Sequence, residues 1–195
     1  MLFFAIVLAG TQVVAQPEGV VKAQQPLLPV LTVNDRSIAL QASLYPSLYW
    51  TTSVIEDLVW VRKQDSALVQ FAQLRGDSIF QALSDFSGIA WRDEFLELSL
   101  LRYYPSVGAA DPLVMPIGGV RVGALSEAIP EGPVRQLELI YLLAHRVLLN
   151  GLRAEAPTFD LLSNHPLMQP TPLRRDNLAF LLALAVSDRV LGSDS

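Results

Sequence analysis

The longest helix-like pattern of apolar and polar positions in the chain covers Val134 to Arg153. Pro133 precedes it, and proline suits a first helical turn because the amide that it lacks would be unpaired there. A surface helix shows one apolar stripe, whereas apolar residues cover several sides of this one. They are Leu137, Leu139, Ile140, Leu142, Leu143, Ala144, Val147, Leu148 and Leu149. The pattern therefore predicts a buried helix at the centre of the core.

A narrow line of polar residues interrupts this apolar surface. Its members are separated by steps of three, four and seven residues, which return to one side of a helix. They are Arg135, Glu138, His145, Arg146 and Arg153. We expect this line to be the edge of the helix that reaches solvent or a cavity.

Four further helices are predicted from capping residues followed by helix-spaced apolar positions. Three of them cover Ser53 to Lys63, Asp65 to Gly76 and Asp77 to Gly88, where each glycine is expected to end a helix. The fourth runs from Thr171 to about Leu191, and Gly192 is expected to end it. Its central stretch, Leu178 to Val186, is wholly apolar and is expected to pack as core against the helix of residues 134–153.

Other parts of the chain show the alternating period of strands. Phe95 to Tyr104 alternates leucine with polar residues, which is typical of a strand with one buried face. Leu113 to Leu125 fits one or two more strands, with Gly118-Gly119 as a bulge or turn. Leu27 to Val33 and Ser37 to Leu40 fit two short strands. The fold class expected is α+β, a helix-rich single domain with a small, mostly antiparallel sheet.

The N-terminus predicts export. Leu2 to Leu8 is apolar and Val13-Val14-Ala15 resembles a cleavage site, although the segment has no lysine or arginine. Residues 1–15 are therefore expected to be an export signal or, if retained, an N-terminal membrane anchor that is too short to span a bilayer. Residues 16–33, rich in proline and glutamine, are expected to form an extended arm. Residues 34–195 are expected to form the single globular domain.

Composition narrows the class of protein. The chain has 195 residues, 51% of them hydrophobic, which is enough for one domain with a substantial core. A net charge of -5 argues against nucleic acid as a partner, because binding phosphate requires a basic surface. The chain has no cysteine, which excludes disulfides, thiolate zinc sites and cysteine catalysis.

One candidate metal site lies on the long helix. This helix follows a predicted strand and precedes another helix, and that order of elements resembles the gluzincin-type metallopeptidases. In that family the His-Glu-x-x-His motif of the helix binds zinc and activates water. Here the frame reads His145-Arg146-Val147-Leu148-Leu149. Arg146 stands where that family has its general base, and Leu149 stands where it has its second ligand. The resemblance therefore implies a degenerate domain without catalysis or bound metal.

Three other groups of residues also fail to make a complete site. Ser163, His165 and the nearby Asp160 lack a nucleophile elbow, so a catalytic triad is not expected. The acids Asp93, Glu94 and Glu97 are expected to be a solvated strand edge that deters strand pairing rather than a glycosidase pair. Gly118-Gly119 with Gly123 lacks the spacing and the lysine of a phosphate loop.

The segment LYPSLYW supplies a candidate binding surface. Tyr45, Tyr49 and Trp50 are residue types enriched where proteins bind one another, although a loop covering the core would use them too. We therefore expect a non-catalytic, exported, membrane-associated protein-binding protein without a cofactor. It would act as an extrinsic subunit that stabilises a larger transport, respiratory or photosynthetic membrane complex. The alternatives are a hydrolase, zinc-dependent or otherwise, and a periplasmic small-ligand-binding protein with a deep aromatic pocket.

Overall fold

The computed structural model describes residues 28–34, 54–64, 66–104, 108–122, 125–128, 132–153 and 174–192. These residues form an α+β domain, as the sequence predicts. Its elements, in chain order, are β1 (Val30–Asn34), α1 (Val54–Gln64), α2 (Ser66–Ser87), β2 (Phe95–Tyr104), β3 (Ala109–Ala110), β4 (Leu113–Val122), β5 (Leu125–Ala128), α3 (Pro133–Arg153) and α4 (Arg174–Leu191).

The five strands form one mixed sheet in the order β1-β2-β4-β3, and β5 also pairs with β4. The sheet is not mostly antiparallel, because β1, β2 and β4 run parallel and only β3 and β5 run antiparallel to β4. Helices α1 and α2 connect β1 to β2, and a helical crossover is what a parallel return requires. Between β2 and β4 the short β3 reverses the chain, so that β4 again follows the direction of β2.

Helix α3 is the buried centre that the sequence predicts. Six of its apolar side chains have at most 1% of their surface exposed: Leu139, Ile140, Leu143, Ala144, Val147 and Leu148. It packs most extensively against α4, and α2 packs against both of them. Helix α1 instead packs on β2 and β4. The same cluster of buried residues includes Leu98, Leu100 and Leu101 of β2, so sheet and helices share one core.

Helix α2 is one helix of 22 residues rather than the two predicted on either side of Gly76. Gly76 is buried within it, and a Cβ placed there would meet only Phe80 Cε2, at 4.0 Å. The left-handed backbone of a helix cap is found instead at Gly88, with φ of 68°, where α2 does end. The prediction was wrong at Gly76 because a glycine followed by a capping residue favours an interruption locally, whereas burial of both halves favours a continuous helix.

The predicted strand from Phe95 to Tyr104 is confirmed at both ends. The predicted bulge is confirmed in β4, where pairing with β2 passes from Leu101↔Pro116 to Tyr103↔Gly119 and so includes one extra residue. At Gly118 a Cβ would lie 2.5 Å from the Arg102 carbonyl oxygen. Only glycine fits this close approach of the two backbones.

Strand β1 lies where the sequence predicts both the end of the arm and the short strand from Leu27 to Val33. Val30–Asn34 forms β1 and pairs with β2, so residues 30–33 of the predicted arm belong to the sheet. Residues 1–27, the predicted strand from Ser37 to Leu40 and the capping residues Ser53, Asp65 and Thr171 lie outside the described residues. Of the described helices, none is both long enough and apolar enough to cross a membrane.

Candidate functional site

Arg146 of α3 holds three parts of the fold together. Its Nη2 and Nε donate to the two carboxylate oxygens of Asp93, at 2.6 and 3.1 Å, just before β2. Its Nη1 lies 2.6 Å from Asp111 Oδ1 and donates to the Ala110 carbonyl oxygen at 3.3 Å, in the turn between β3 and β4. Asn150, one turn further along α3, donates to Asp93 at 2.9 Å.

The Arg146 side chain is 13% exposed and that of Asp93 is 15% exposed, so water screens this pair weakly. Hydrogen bonding to Asp93, opposed in part by burial, holds the pKa of Arg146 above its usual range. The guanidinium is therefore permanently charged, and its neighbours on both sides are carboxylates. At the position where zinc peptidases have a general base, this chain has a cation that anchors the sheet to α3.

The three acids expected to form a solvated edge divide into two kinds. Glu94 and Glu97 are exposed, as expected, and Glu97 accepts a hydrogen bond from the Asn34 side chain across β1 and β2. Asp93 is instead bound by Arg146 and Asn150. The sequence did not predict this contact, because the partners are 53 and 57 residues apart in the chain.

His145 is buried and faces the first turn of α4. Its Nε2 lies 3.5 Å from Asp176 Oδ1, and its ring meets that of Tyr141 edge to face, with centroids 4.7 Å apart. Burial lowers the pKa of His145 despite the neighbouring carboxylate, so the imidazole is neutral at pH 7. Among the described residues, no group of three His, Asp or Glu side chains is placed to hold a metal ion.

A cavity of about 510 Å³ opens beside His145. Its walls come from three elements: residues 108–111 around β3, one side of α3, and the first turn of α4. The side chains of Tyr141, Leu142 and Leu149 supply apolar surface, while Asp111, Arg175 and Asp176 supply charge. The prediction that the polar line of α3 reaches a cavity is thus confirmed at His145.

The other end of that polar line is half-buried. Glu138 has an Oε2 atom that is buried without a hydrogen-bond partner among the described residues, and burial raises the pKa of its carboxyl to about 7. Arg135, one turn earlier, is 7% exposed and lowers that pKa in part. Helix α3 therefore carries one carboxyl that titrates near neutral pH.

A second ion pair, which the sequence did not indicate, joins α1 to the sheet. Asp57 is fully buried and accepts a hydrogen bond of 2.8 Å from Arg102 Nη1 of β2. The Arg102 guanidinium also lies 5.0 Å from the Trp60 ring centroid and 5.2 Å from that of Tyr103. The apolar residues Ile55 and Val59 of α1 are 74% and 50% exposed. The inner face carries Asp57 because Arg102 lies opposite it.

The apolar stretch of α4 is buried on one side only. Ala179, Leu182, Ala183 and Val186 pack in the core, as the sequence predicts. Phe180, Leu181 and Leu184 are 50%, 39% and 43% exposed, contrary to the expectation that the whole stretch is core. We call these three residues the α4 apolar face. No charged residue lies between Asp176 and Asp188, so this face has no polar interruption.

Several predicted site residues lie outside the part of the chain that the structure describes. They are the candidate binding residues Tyr45, Tyr49 and Trp50, the triad candidates Asp160, Ser163 and His165, and Gly123. The role suggested for each of them stays a prediction.

Comparison of the chain with protein-family models, with curated protein sequences and with solved structures gives no match. No family is assigned to the chain, and its function is inferred from its own residues and contacts.

Proposed function

We propose that the chain is a non-catalytic protein-binding subunit, and that it is exported and associates with a membrane complex. The observation that supports binding is the α4 apolar face. Phe180, Leu181 and Leu184 are spaced i, i+1 and i+4, so they form one patch on one side of a helix. Single exposed apolar residues are common on protein surfaces, whereas a contiguous apolar patch is typical of a site that another protein covers.

The size of the patch sets what kind of interface it can form. Burying a whole Leu or Phe side chain contributes about 1.5 to 3 kcal/mol. About half of each of the three side chains is exposed, so covering all three contributes about 3 kcal/mol. Association costs at least about 4 kcal/mol in lost freedom of motion. The α4 apolar face is therefore the centre of a larger interface, to which the predicted arm and Tyr45, Tyr49 and Trp50 would add area.

The apolar character of the patch defines the partner. The proposed occupant is a different protein with an apolar stripe that covers Phe180, Leu181 and Leu184.

Export and membrane association are supported by the N-terminal sequence alone. Both parts of this proposal are tested by N-terminal sequencing of the protein from its native cells. A start near Gln16 would indicate cleavage and a domain released from the segment, whereas a start at Met1 would indicate a retained anchor. Recovery of the protein only from the cytoplasmic fraction would refute export.

The binding proposal is tested with the tagged full chain in its native cells. We expect gel filtration of a mild detergent extract to place the wild type well above its own mass of 21.4 kDa, together with a stoichiometric second protein. Leu184→Lys should release the protein as a free chain. Leu74→Lys is the matched control, because Leu74 is also exposed on a helix, at 80%, but belongs to α2.

Three results would refute the binding proposal. They are a wild type that elutes alone, a complex that contains only copies of this chain, and a complex that Leu184→Lys leaves intact. Lysine is a good helix former and would precede Asp188 by four residues, so the folding of Leu184→Lys should be close to that of the wild type. Circular dichroism of both variants checks this point.

A further inference from the structure

The cavity beside His145 is lined by both apolar and charged side chains. Leu142, Leu149 and the Tyr141 ring line its inner wall, whereas Asp176 is 46% exposed in its side chain and Asp111 is 41% exposed. Its volume of about 510 Å³ lies within the range of small-molecule sites, roughly 300 to 1,000 Å³. A ligand that fits this site has an apolar body and one charged group.

The sign of that charge follows from the described side chains around the cavity. The charged side chains that line it are Asp111, Arg175 and Asp176. Two carboxylates and one guanidinium group leave one net negative charge. Arg146 lies between Asp93 and Asp111, so its charge is directed at them and not at the cavity.

Asp176 is the carboxylate least compensated by its neighbours. Among the described side chains, His145 Nε2 lies 3.5 Å from its Oδ1, and that imidazole is neutral and buried beside an aromatic ring. Arg175 precedes Asp176 on α4, and side chains of consecutive helical residues do not face each other. The Tyr141 ring stands beside the same imidazole, so an aromatic ring and a carboxylate both lie near His145 in the lining of the cavity.

We propose that this cavity binds a small organic ammonium ion, with the nitrogen between the Asp176 carboxylate and the Tyr141 ring and the apolar body against Leu142. A carboxylate supplies a charge-assisted hydrogen bond to an N–H donor, and an aromatic ring attracts a cation within about 6 Å of its centroid. This inference does not rest on the proposed protein-binding function, because Phe180, Leu181 and Leu184 do not line the cavity.

The test uses three probes with the same ring and different charge. They are cyclohexylmethylamine, cyclohexylmethanol and cyclohexanecarboxylate, each titrated into the full chain and followed by NMR shifts of the His145 ring protons. We expect the amine to bind at low-millimolar concentration or better. The alcohol should bind at least about tenfold more weakly, because it can donate a hydrogen bond to the carboxylate but has no positive charge. The carboxylate should bind weakest of the three.

Variants then assign the residues. Asp176→Asn should weaken amine binding about tenfold or more and remove the preference over the alcohol. Asp188→Asn, the same change at the far end of α4, should leave binding unchanged and serves as the matched control. Tyr141→Phe keeps the ring and should retain binding, whereas Tyr141→Leu should weaken it.

Three outcomes would overturn the proposal: tightest binding of the carboxylate, equal binding of all three probes, or no His145 shift with any of them. Amine binding that Asp176→Asn and Asp188→Asn change equally would also overturn it. If Asp176→Asn fails to fold, the wild-type probe series and the two Tyr141 variants still decide.

Discussion

Replacing Arg146 with methionine removes the cation that joins α3 to β2 and to the turn between β3 and β4. Methionine keeps most of the side-chain length and the helix propensity, so the main change is loss of the charge and its hydrogen bonds. Asp93, with a side chain only 15% exposed, would then keep Asn150 as a hydrogen-bond donor but lose both hydrogen bonds to the guanidinium.

Breaking a buried pair by removing one partner costs about 3 to 5 kcal/mol. The lower end applies here, since Asn150 still binds Asp93 and Asp111 is 41% exposed. We expect Arg146→Met to lower the free energy of unfolding by about 3 kcal/mol, a large part of the roughly 5 to 15 kcal/mol of a typical domain. Arg146→Lys should recover only part of this loss, because lysine keeps the charge but cannot form the two-pronged contact.

The assay is urea denaturation followed by circular dichroism at pH 7, with m-values compared to exclude a change in the unfolded state. Arg189→Met is the control, because Arg189 pairs with Asp85 at 2.8 Å while 49% exposed, and exposed pairs contribute about 1 kcal/mol or less. If Arg146→Met lies within about 0.5 kcal/mol of the wild type, or if both methionine variants lose the same amount, the structural role assigned to Arg146 is refuted.

Three further predictions follow from particular contacts. Gly76→Ala should raise the free energy of unfolding by about 0.5 to 1 kcal/mol, whereas Gly118→Ala should lower it by about 2 kcal/mol or more. The reason is that, of these two glycines, Gly76 has space for a Cβ and Gly118 does not. Equal destabilisation in thermal melts would contradict the continuous α2. The folded Glu138 carboxyl holds its proton up to about pH 7 whereas an unfolded one releases it near 4.5, so stability contributed by Glu138 should fall as pH rises between these values. Glu138→Gln should therefore stabilise the protein at pH 8 but not at pH 4, as measured by urea midpoints. Elemental analysis of the purified protein should find no stoichiometric zinc, and zinc that is lost on His145→Ala would establish the hydrolase alternative.

Much of the fold was predictable because short-range patterns dictate it. The apolar positions of residues 134–153 cover several sides of a helix, and that helix is the buried α3. The alternation in residues 95–104 gave a strand with the correct ends. Periodicity is set by which side of an element faces apolar neighbours, so it can be read without knowing those neighbours.

The candidate site was less predictable, because its contacts join residues that are far apart in the chain. His145 and Arg146 were chosen from the sequence for the chemistry they could perform, but the sequence does not show that Asp176 and Asp93 lie opposite them. Asp57 was not singled out, since a buried acid becomes acceptable only when its distant partner Arg102 is in place. His145 and Arg146 thus stand out in the sequence by their residue types, whereas their contacts depend on the fold.

By itself, the sequence determined the α+β class, the buried long helix, the strand from Phe95 to Tyr104 and the glycine bulge at Gly118, because each depends on residues close together in the chain. Only the tertiary structure decided that the sheet is mixed, that α2 runs through Gly76 and that one side of α4 stays exposed. The physical reason is that strand direction, helix continuity and burial depend on contacts between segments far apart in the chain, whose energies no local pattern contains.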